Sequence, residues 1–204
     1  MQTNPFDDDK LHEECGIFGI FGTSDAAANT VLGLHALQHR GQEAAGIVAF
    51  NEGRFNSHRA LGHVAPNFSS EKVIRELPGD RAIGHVAPNF SSEKVIRELP
   101  GDRAIGHVRY STSGGTLLRN VQPIYADLEL GGIALAHNGN LTNARHIRDD
   151  LVAKGSIFQS TMDTEVITHL VALSRKTSVV DRIVDALKQI EGAYALVALT
   201  PKKL

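Results

Sequence analysis

The chain has 204 residues, of which 42% are hydrophobic and 22% charged, and a typical domain size of about 150 residues favours one domain with a substantial core. Its 21 Lys and Arg against 23 Asp and Glu give a net charge of −2, which argues against nucleic-acid or anionic-membrane binding. A single cysteine excludes an internal disulfide and a thiolate zinc site. With no signal peptide or membrane-length apolar run in the sequence, we expect a cytoplasmic protein.

The first half of the chain is predicted to alternate strands and helices after an acidic leader, residues 1–14. Residues 15–22 (CGIFGIFG) favour a β-strand, and Ala26 to His39 has apolar residues at helical spacing before a glycine. Residues 44–51 and 54–62 are separated by Glu52 and Gly53, which predicts a β-hairpin.

A perfect tandem duplication interrupts this pattern. Residues 62–83 recur unchanged as 84–105. Two identical copies do not make a solenoid. The added loop length costs little, since each doubling of a loop's length raises the free-energy cost of closing it by only about 0.6 kcal/mol. Each copy encodes a short amphipathic helix, at 68–77 or 90–99, and a strand start, at 83–86 or 105–108. We expect the second copy to supply the strand, because only that copy continues into Arg109, and the surplus segment to loop out.

The second half continues the alternation. Strands are predicted at 103–111, 123–127 and 131–139, helices at Thr142 to Lys154, Asp163 to Arg175 and Val179 to Ile190, and a last strand at 193–200. This order indicates strands and helices packed in layers.

Polar islands stand at the predicted strand ends and helix starts. They are HRGQEAAG at 39–46, HVRYST at 107–112, AHNGN at 136–140 and MDTE at 162–165. Taken alone, Cys15 is typical of a small buried apolar residue, the NGN stretch of a turn, and Asp163 of a helix N-cap.

The motifs together resemble a known family. CGIFGIFG, LQHRGQEAAGI, IGHVRYSTSGG, LAHNGNLTN and TMDTEVITH are similar, in order, to the class-II glutaminase domain of the amidophosphoribosyltransferase family, which acts in purine biosynthesis. The resemblance implies an α+β fold, a four-layer αββα N-terminal nucleophile (Ntn) hydrolase sandwich spanning residues 15–204. Residues 1–14 match a propeptide, whose removal frees the α-amine of Cys15 as the base for its own thiol.

The resemblance also implies a role for each site residue. Cys15 is the nucleophile, and the Asn138 amide and the Gly139 N–H face the oxyanion. Arg109 pairs with the substrate carboxylate and Asp163 with its ammonium group. Arg40 and Thr112 are weaker candidates for the substrate site. Arg40, with Gly41, lies where the family holds the cysteine loop, whereas Thr112 equally fits a strand-end hydroxyl without a role.

The cofactors and partners that the resemblance implies lie mainly outside this chain. His39, His107 and His137 match no metal-ligand spacing, so we expect no bound metal. Magnesium and, in part of the family, an iron–sulfur cluster belong to a phosphoribosyltransferase domain, which follows the AYALVALT stretch in the family and which we expect to be absent from this chain. We expect glutamine, that missing domain and further copies of a homo-oligomer as partners, and no nucleic acid or membrane.

Alone, the chain is expected at most to hydrolyse glutamine to glutamate and ammonia. Two alternatives stay open: the glutaminase part of another amidotransferase, and a catalytically silent regulatory or assembly module.

Overall fold

The computed structural model describes residues 15–65, 99–109 and 117–204. The leader, most of the duplication, including the helix of the first copy and nearly all of that of the second, and Thr112 lie outside these residues.

Two antiparallel sheets form the centre of the fold. The first has the order β1-β4-β2-β3 and the second the order β5-β6-β7. The seven strands are β1 (Gly16–Phe21), β2 (Ala44–Asn51), β3 (Arg54–Leu61), β4 (Arg103–Arg109), β5 (Ile124–Leu128), β6 (Gly131–Leu141) and β7 (Gly192–Leu199). The β2–β3 hairpin is the predicted one, and it turns through Glu52 and Gly53, both with positive φ.

Helices cover the outer face of each sheet. Helix α1 (Ala26–Ala36) packs on the first sheet, and α3 (Asp163–Leu173) packs on the second, with α2 (Ala144–Ala153) and α4 (Val179–Leu187) against it. The predicted α+β class is therefore confirmed. Among the described helices, none combines the length and the apolar character that crossing a membrane requires.

Three apolar clusters fill the spaces between the four layers of the fold, which are α1, the first sheet, the second sheet and the remaining helices. The first, with Leu34 and Ile47, lies between α1 and its sheet, and the third, with Ile133 and Ile167, lies between the second sheet and its helices. The middle cluster, with Val48, Phe50, Ile105, Ala134, Ala136 and Leu199, joins the two sheets. Because side chains alternate along a strand, each central strand contributes to two clusters.

Strand β4 begins in the second copy of the duplication, which ends at Ile105, and continues to Arg109, as the sequence predicts. It lies between β1 and β2 in the first sheet, with Ile17 and Gly46 as the register partners of His107. Val64 and Leu99, on either side of the undescribed residues 66–98, are both buried in the cluster under α1. The core therefore includes residues from both copies of the duplication, among them Val64 from the first and Leu99 from the second.

Four predicted helices are longer than those observed. The helix predicted to reach His39 ends at Ala36, and a 3₁₀ turn over Gln38–Arg40 follows. Of the other three, α2 begins two residues after Thr142 and ends one residue before Lys154, α3 ends at Leu173 and not at Arg175, and α4 ends at Leu187 and not at Ile190. In the first case the tighter turn redirects the chain, which places Arg40 beside the start of β1.

Candidate active site

The main-chain carbonyl of Cys15 is held by two side chains from distant parts of the sequence. Cys15 is partly exposed and lies immediately before β1. Arg40 Nε donates to its oxygen at 2.9 Å, and Asn138 Nδ2 donates to the same oxygen at 3.0 Å. The structure thus brings together three of the residues that the sequence singled out, and it fixes the position of the cysteine backbone.

Gly41 allows this arrangement because it lies directly against the backbone of β4. A Cβ atom at Gly41 would stand 2.7 Å from the carbonyl carbon of Val108 and 2.8 Å from the N and carbonyl carbon of Arg109. Atoms never approach a real Cβ this closely, and backbone cannot rotate away. The Arg40–Gly41 step is therefore seated against the C-terminal end of β4, where Arg109 lies.

Gly139 follows Asn138 on β6 and has a conformation that other residues rarely adopt. Its φ is +135°, and a Cβ there would stand 2.2 Å from the carbonyl oxygen of Ala193 on β7. The backbone conformation and the close approach of β7 both require glycine at this position.

Arg109 stands at the end of β4, partly buried, with donors to spare. Its Nη1 donates to the carbonyl of Asn120 at 3.2 Å and to the sulfur of Met162 at 2.8 Å. Its Nε–H is buried and no described residue accepts a hydrogen bond from it. A guanidinium with a buried, unused donor is suited to bind an anion such as a carboxylate.

Asp163 is the first residue of α3, and three groups surround its carboxylate. Oδ2 accepts from the N–H of Leu141 at 3.2 Å, and Oδ1 accepts from the N–H of Thr164 at 2.9 Å. His137 Nδ1 stands 3.3 Å from Oδ1. The N-cap position belongs to Met162, so the interpretation of Asp163 as a simple N-cap is wrong.

The surroundings of Asp163 keep its carboxyl group ionised. Burial acts to raise its pKa, but the hydrogen bond and charge of His137 and the N–H groups of Leu141 and Thr164 outweigh burial and lower the pKa. The side chain is 17% exposed. Asp163 therefore presents a negative charge that a cation can reach.

His107 is buried between the sheets and stays neutral. Burial, together with the charges of Arg109 and His137, lowers its pKa to about 3. The backbone of His137 acts in the opposite direction but is the smallest of these effects, and neither ring nitrogen makes a hydrogen bond of ordinary geometry with a described residue. Among the described residues, no three His, Cys, Asp or Glu side chains come close enough to hold a metal ion.

Three buried polar residues that sequence reasoning missed organise the segments around these side chains. Glu165 accepts hydrogen bonds from the N–H of Gln159, the N–H of Ser160 and the hydroxyl of Ser160, each at 2.7 Å. Gln122 pairs with both backbone groups of His137, accepting from its N–H at 2.7 Å and donating to its carbonyl at 3.1 Å.

The third, Asn120, bonds to Thr161 in the loop before α3. Only Glu165 lay in a predicted polar island. Nothing in the sequence set Asn120 and Gln122 apart, because their partners are mostly backbone groups far along the chain.

The candidate site therefore has two parts joined by β6. One part surrounds Cys15 with Arg40 and Asn138. The other contains Arg109, which contacts the sulfur of Met162, and Asp163, which is the next residue in the chain. Strand β6 carries Asn138 to the first part and Leu141 to the second.

Comparisons with known proteins match this chain to amidotransferases. The model of a glutamine amidotransferase domain family matches residues 107–204. The chain is 51% identical to an amidophosphoribosyltransferase of Rhizobium etli, over 98% of this chain and 36% of the relative. It is 41% identical to one of Lacticaseibacillus casei, over 96% of this chain and 90% of that sequence.

Solved structures similar to this chain also include an amidotransferase. The glutamine phosphoribosylpyrophosphate amidotransferase of Bacillus subtilis, in complex with ADP and GMP, is similar with a TM-score of 0.71 and 37% identity, over 90% of this chain and 35% of that one. A structure described as the allosteric regulatory enzyme of purine biosynthesis is similar with a TM-score of 0.74 and 38% identity, over the same shares of the two chains. The chain spans about a third of the length of most of these proteins.

Proposed function

The chain belongs to the amidophosphoribosyltransferase family, and on that premise we propose that residues 15–204 form a glutamine-hydrolysing domain with the Cys15 thiol as nucleophile. Arg109 and Asp163 bind the α-carboxylate and the α-ammonium group of glutamine in this proposal. Asn138 and Gly139 stabilise the oxyanion, while Arg40 and Gly41 hold the cysteine loop.

One observation carries the proposal: a cationic group, Arg109, contacts the side chain of Met162, and an anionic group, Asp163, follows Met162 in the chain. Arg109 has a buried Nε–H from which no described residue accepts a hydrogen bond, and its Nη1 contacts the Met162 sulfur. Asp163, the next residue, has a lowered pKa and partial exposure. An α-amino acid carries a carboxylate and an ammonium group on one carbon, so this pair of charges complements its head group.

The proposed chemistry begins once residues 1–14 are removed, which frees the α-amine of Cys15. The amine takes the thiol proton, and the thiolate attacks the carboxamide carbon of glutamine. The resulting oxyanion accepts hydrogen bonds from the N–H of Gly139 and from the Asn138 amide, whose NH₂ group has a second hydrogen beyond the one given to Cys15. The protonated amine returns its proton to the leaving nitrogen, so ammonia departs and a thioester remains. Water then hydrolyses the thioester to glutamate and regenerates the thiol.

We extend the proposal to the longer proteins of the family. There, the ammonia reacts with phosphoribosyl pyrophosphate to give 5-phosphoribosylamine on a separate phosphoribosyltransferase domain. We assign magnesium and any iron–sulfur cluster to that domain, and a homo-oligomer to the full-length proteins. The single cysteine of this chain, taken as the nucleophile, leaves none to bind a cluster.

Two measurements on the same purified protein test the proposal. We expect an intact mass equal to residues 15–204, with glutamate released from glutamine. Cys15→Ala is expected to keep the full mass and release none, while Cys15→Ser tests whether a hydroxyl supports either step. A wild-type protein with the full mass and no glutamate release would instead indicate a silent regulatory or assembly module.

A further inference from the structure

Asn120 is a buried polar residue to which the proposed reaction gives no role. Only 6% of its surface is exposed. Its Nδ2 donates to the hydroxyl of Thr161 at 2.9 Å, and its Oδ1 accepts from the N–H of Thr161 at 3.1 Å. Both ends of one amide are thus used on a single residue of the loop that leads into α3.

The backbone of the same residue holds the guanidinium of Arg109. The carbonyl of Asn120 accepts from Arg109 Nη1 at 3.2 Å. The 3₁₀ turn Leu118–Asn120 fixes the direction of this carbonyl, since the N–H of Asn120 donates to Leu117 at 2.8 Å. Asn120 therefore contacts the end of β4 with its main chain and the α3 loop with its side chain.

These two contacts lie close to the pair of charges at the site. Thr161 is two residues before Asp163, and the residue between them, Met162, is the second partner of Arg109 Nη1. Without the amide of Asn120, the link between Arg109 and this loop would rest on the Met162 sulfur, which is a weak acceptor on a flexible side chain.

We infer that Asn120 is a positioning residue that sets the spacing between Arg109 and Asp163, and so makes the site selective for the α-amino acid head group. The inference rests on the proposed function, because it takes these two residues as the binding groups. Two hydrogen bonds to one loop residue restrict both the distance and the rotation of the loop relative to the turn. A binding site held in this way does not reorganise when the substrate arrives.

The test compares steady-state glutamate release by Asn120→Ala and by a matched control, Asn143→Ala. Asn143 uses its amide in the same two-ended way, donating to the carbonyl of Gln189 and accepting from the N–H of Glu191, both at 3.0 Å. Neither of these hydrogen bonds involves Arg109 or Asp163. We expect Asn120→Ala to raise the KM for glutamine about tenfold with kcat within about threefold of wild type, the pattern of lost binding. Asn143→Ala is expected to lose stability and keep the wild-type KM.

A second variant keeps the test independent of folding defects. Thr161→Val removes only the hydroxyl acceptor and leaves the N–H bond to Asn120, so its KM should fall between those of wild type and Asn120→Ala. Equal KM values for wild type and Asn120→Ala, or an equal rise in Asn143→Ala, would overturn the inference alone. A wild-type chain that releases no glutamate would overturn the proposed function and this inference with it.

Discussion

Glu165→Gln is expected to destabilise the fold through one misplaced donor. In the wild type, Oε1 accepts from Gln159, and Oε2 accepts from both the N–H and the hydroxyl of Ser160. The variant keeps the shape and the Gln159 bond, but it places an NH₂ group where Oε2 was. The Ser160 hydroxyl can rotate to accept from this NH₂ group, whereas the Ser160 N–H is fixed and faces another donor.

The size of the effect follows from this count. One buried N–H loses a bond to a charged group, which costs about 1.5–3 kcal/mol. Glu165→Ala leaves all three donors without that partner and should cost more. For a domain of this size, about 2 kcal/mol lowers the urea midpoint by about 1 M.

Equilibrium unfolding in urea measures this loss, and glutamate release reports its effect on the site. The hydroxyl of Ser160 also accepts from the N–H of Met162 at 3.2 Å, so the loop before Asp163 should loosen and the KM should rise. Glu191→Gln makes the same chemical change at an exposed position and should stay within about 0.5 kcal/mol of wild type. If Glu165→Gln unfolds at the wild-type midpoint, the three hydrogen bonds do not support the loop as described.

Two further predictions concern other parts of the site. Gly139→Ala should destabilise by about 3 kcal/mol or more and abolish glutamate release, since its φ of +135° is strained for alanine and its Cβ would stand 2.2 Å from the Ala193 oxygen. Gly155→Ala, at φ +94° with nothing within 4 Å, should cost only about 1 kcal/mol, and equal losses would contradict the role of close packing. His107 has a pKa lowered to about 3, so the unfolded chain binds a proton that the folded chain does not. Wild-type stability should therefore fall as the pH drops below about 6.5, by up to about 1.4 kcal/mol per pH unit. In urea titrations from pH 7 to 5, His107→Gln should show a shallower fall, and equal slopes would refute the assignment.

The order and type of the described elements could be predicted from the sequence because apolar spacing changes with structure. The β2–β3 hairpin and the last strand, β7, are confirmed, and every observed strand end lies within one residue of the predicted end. Helix ends were less predictable, because tertiary contacts decide where α1 gives way to a 3₁₀ turn at Gln38. Apolar periodicity does not record a hydrogen bond from Arg40 to a carbonyl 25 residues away.

The site was predictable in its residues and less so in its supports. Motif resemblance named Cys15, Arg109 and Asp163, whose roles stay predictions, and the structure gives their surroundings. The contacts of Asn120 and Gln122 run to segments that follow them by 41 and 15 residues and involve backbone groups. A sequence shows neither such a distance nor such an atom, so these residues could be identified only from coordinates.

The order of the strands fixes when the site can exist during synthesis. Gly16 at the start of β1 pairs with Val108 on β4. Asn138, whose amide holds the Cys15 carbonyl, lies 123 residues after Cys15 in the chain. At about 5–20 residues per second, a ribosome adds that stretch in roughly 6–25 s. The cysteine thus leaves the ribosome well before its partners do, and any reaction that needs the assembled site waits for β6.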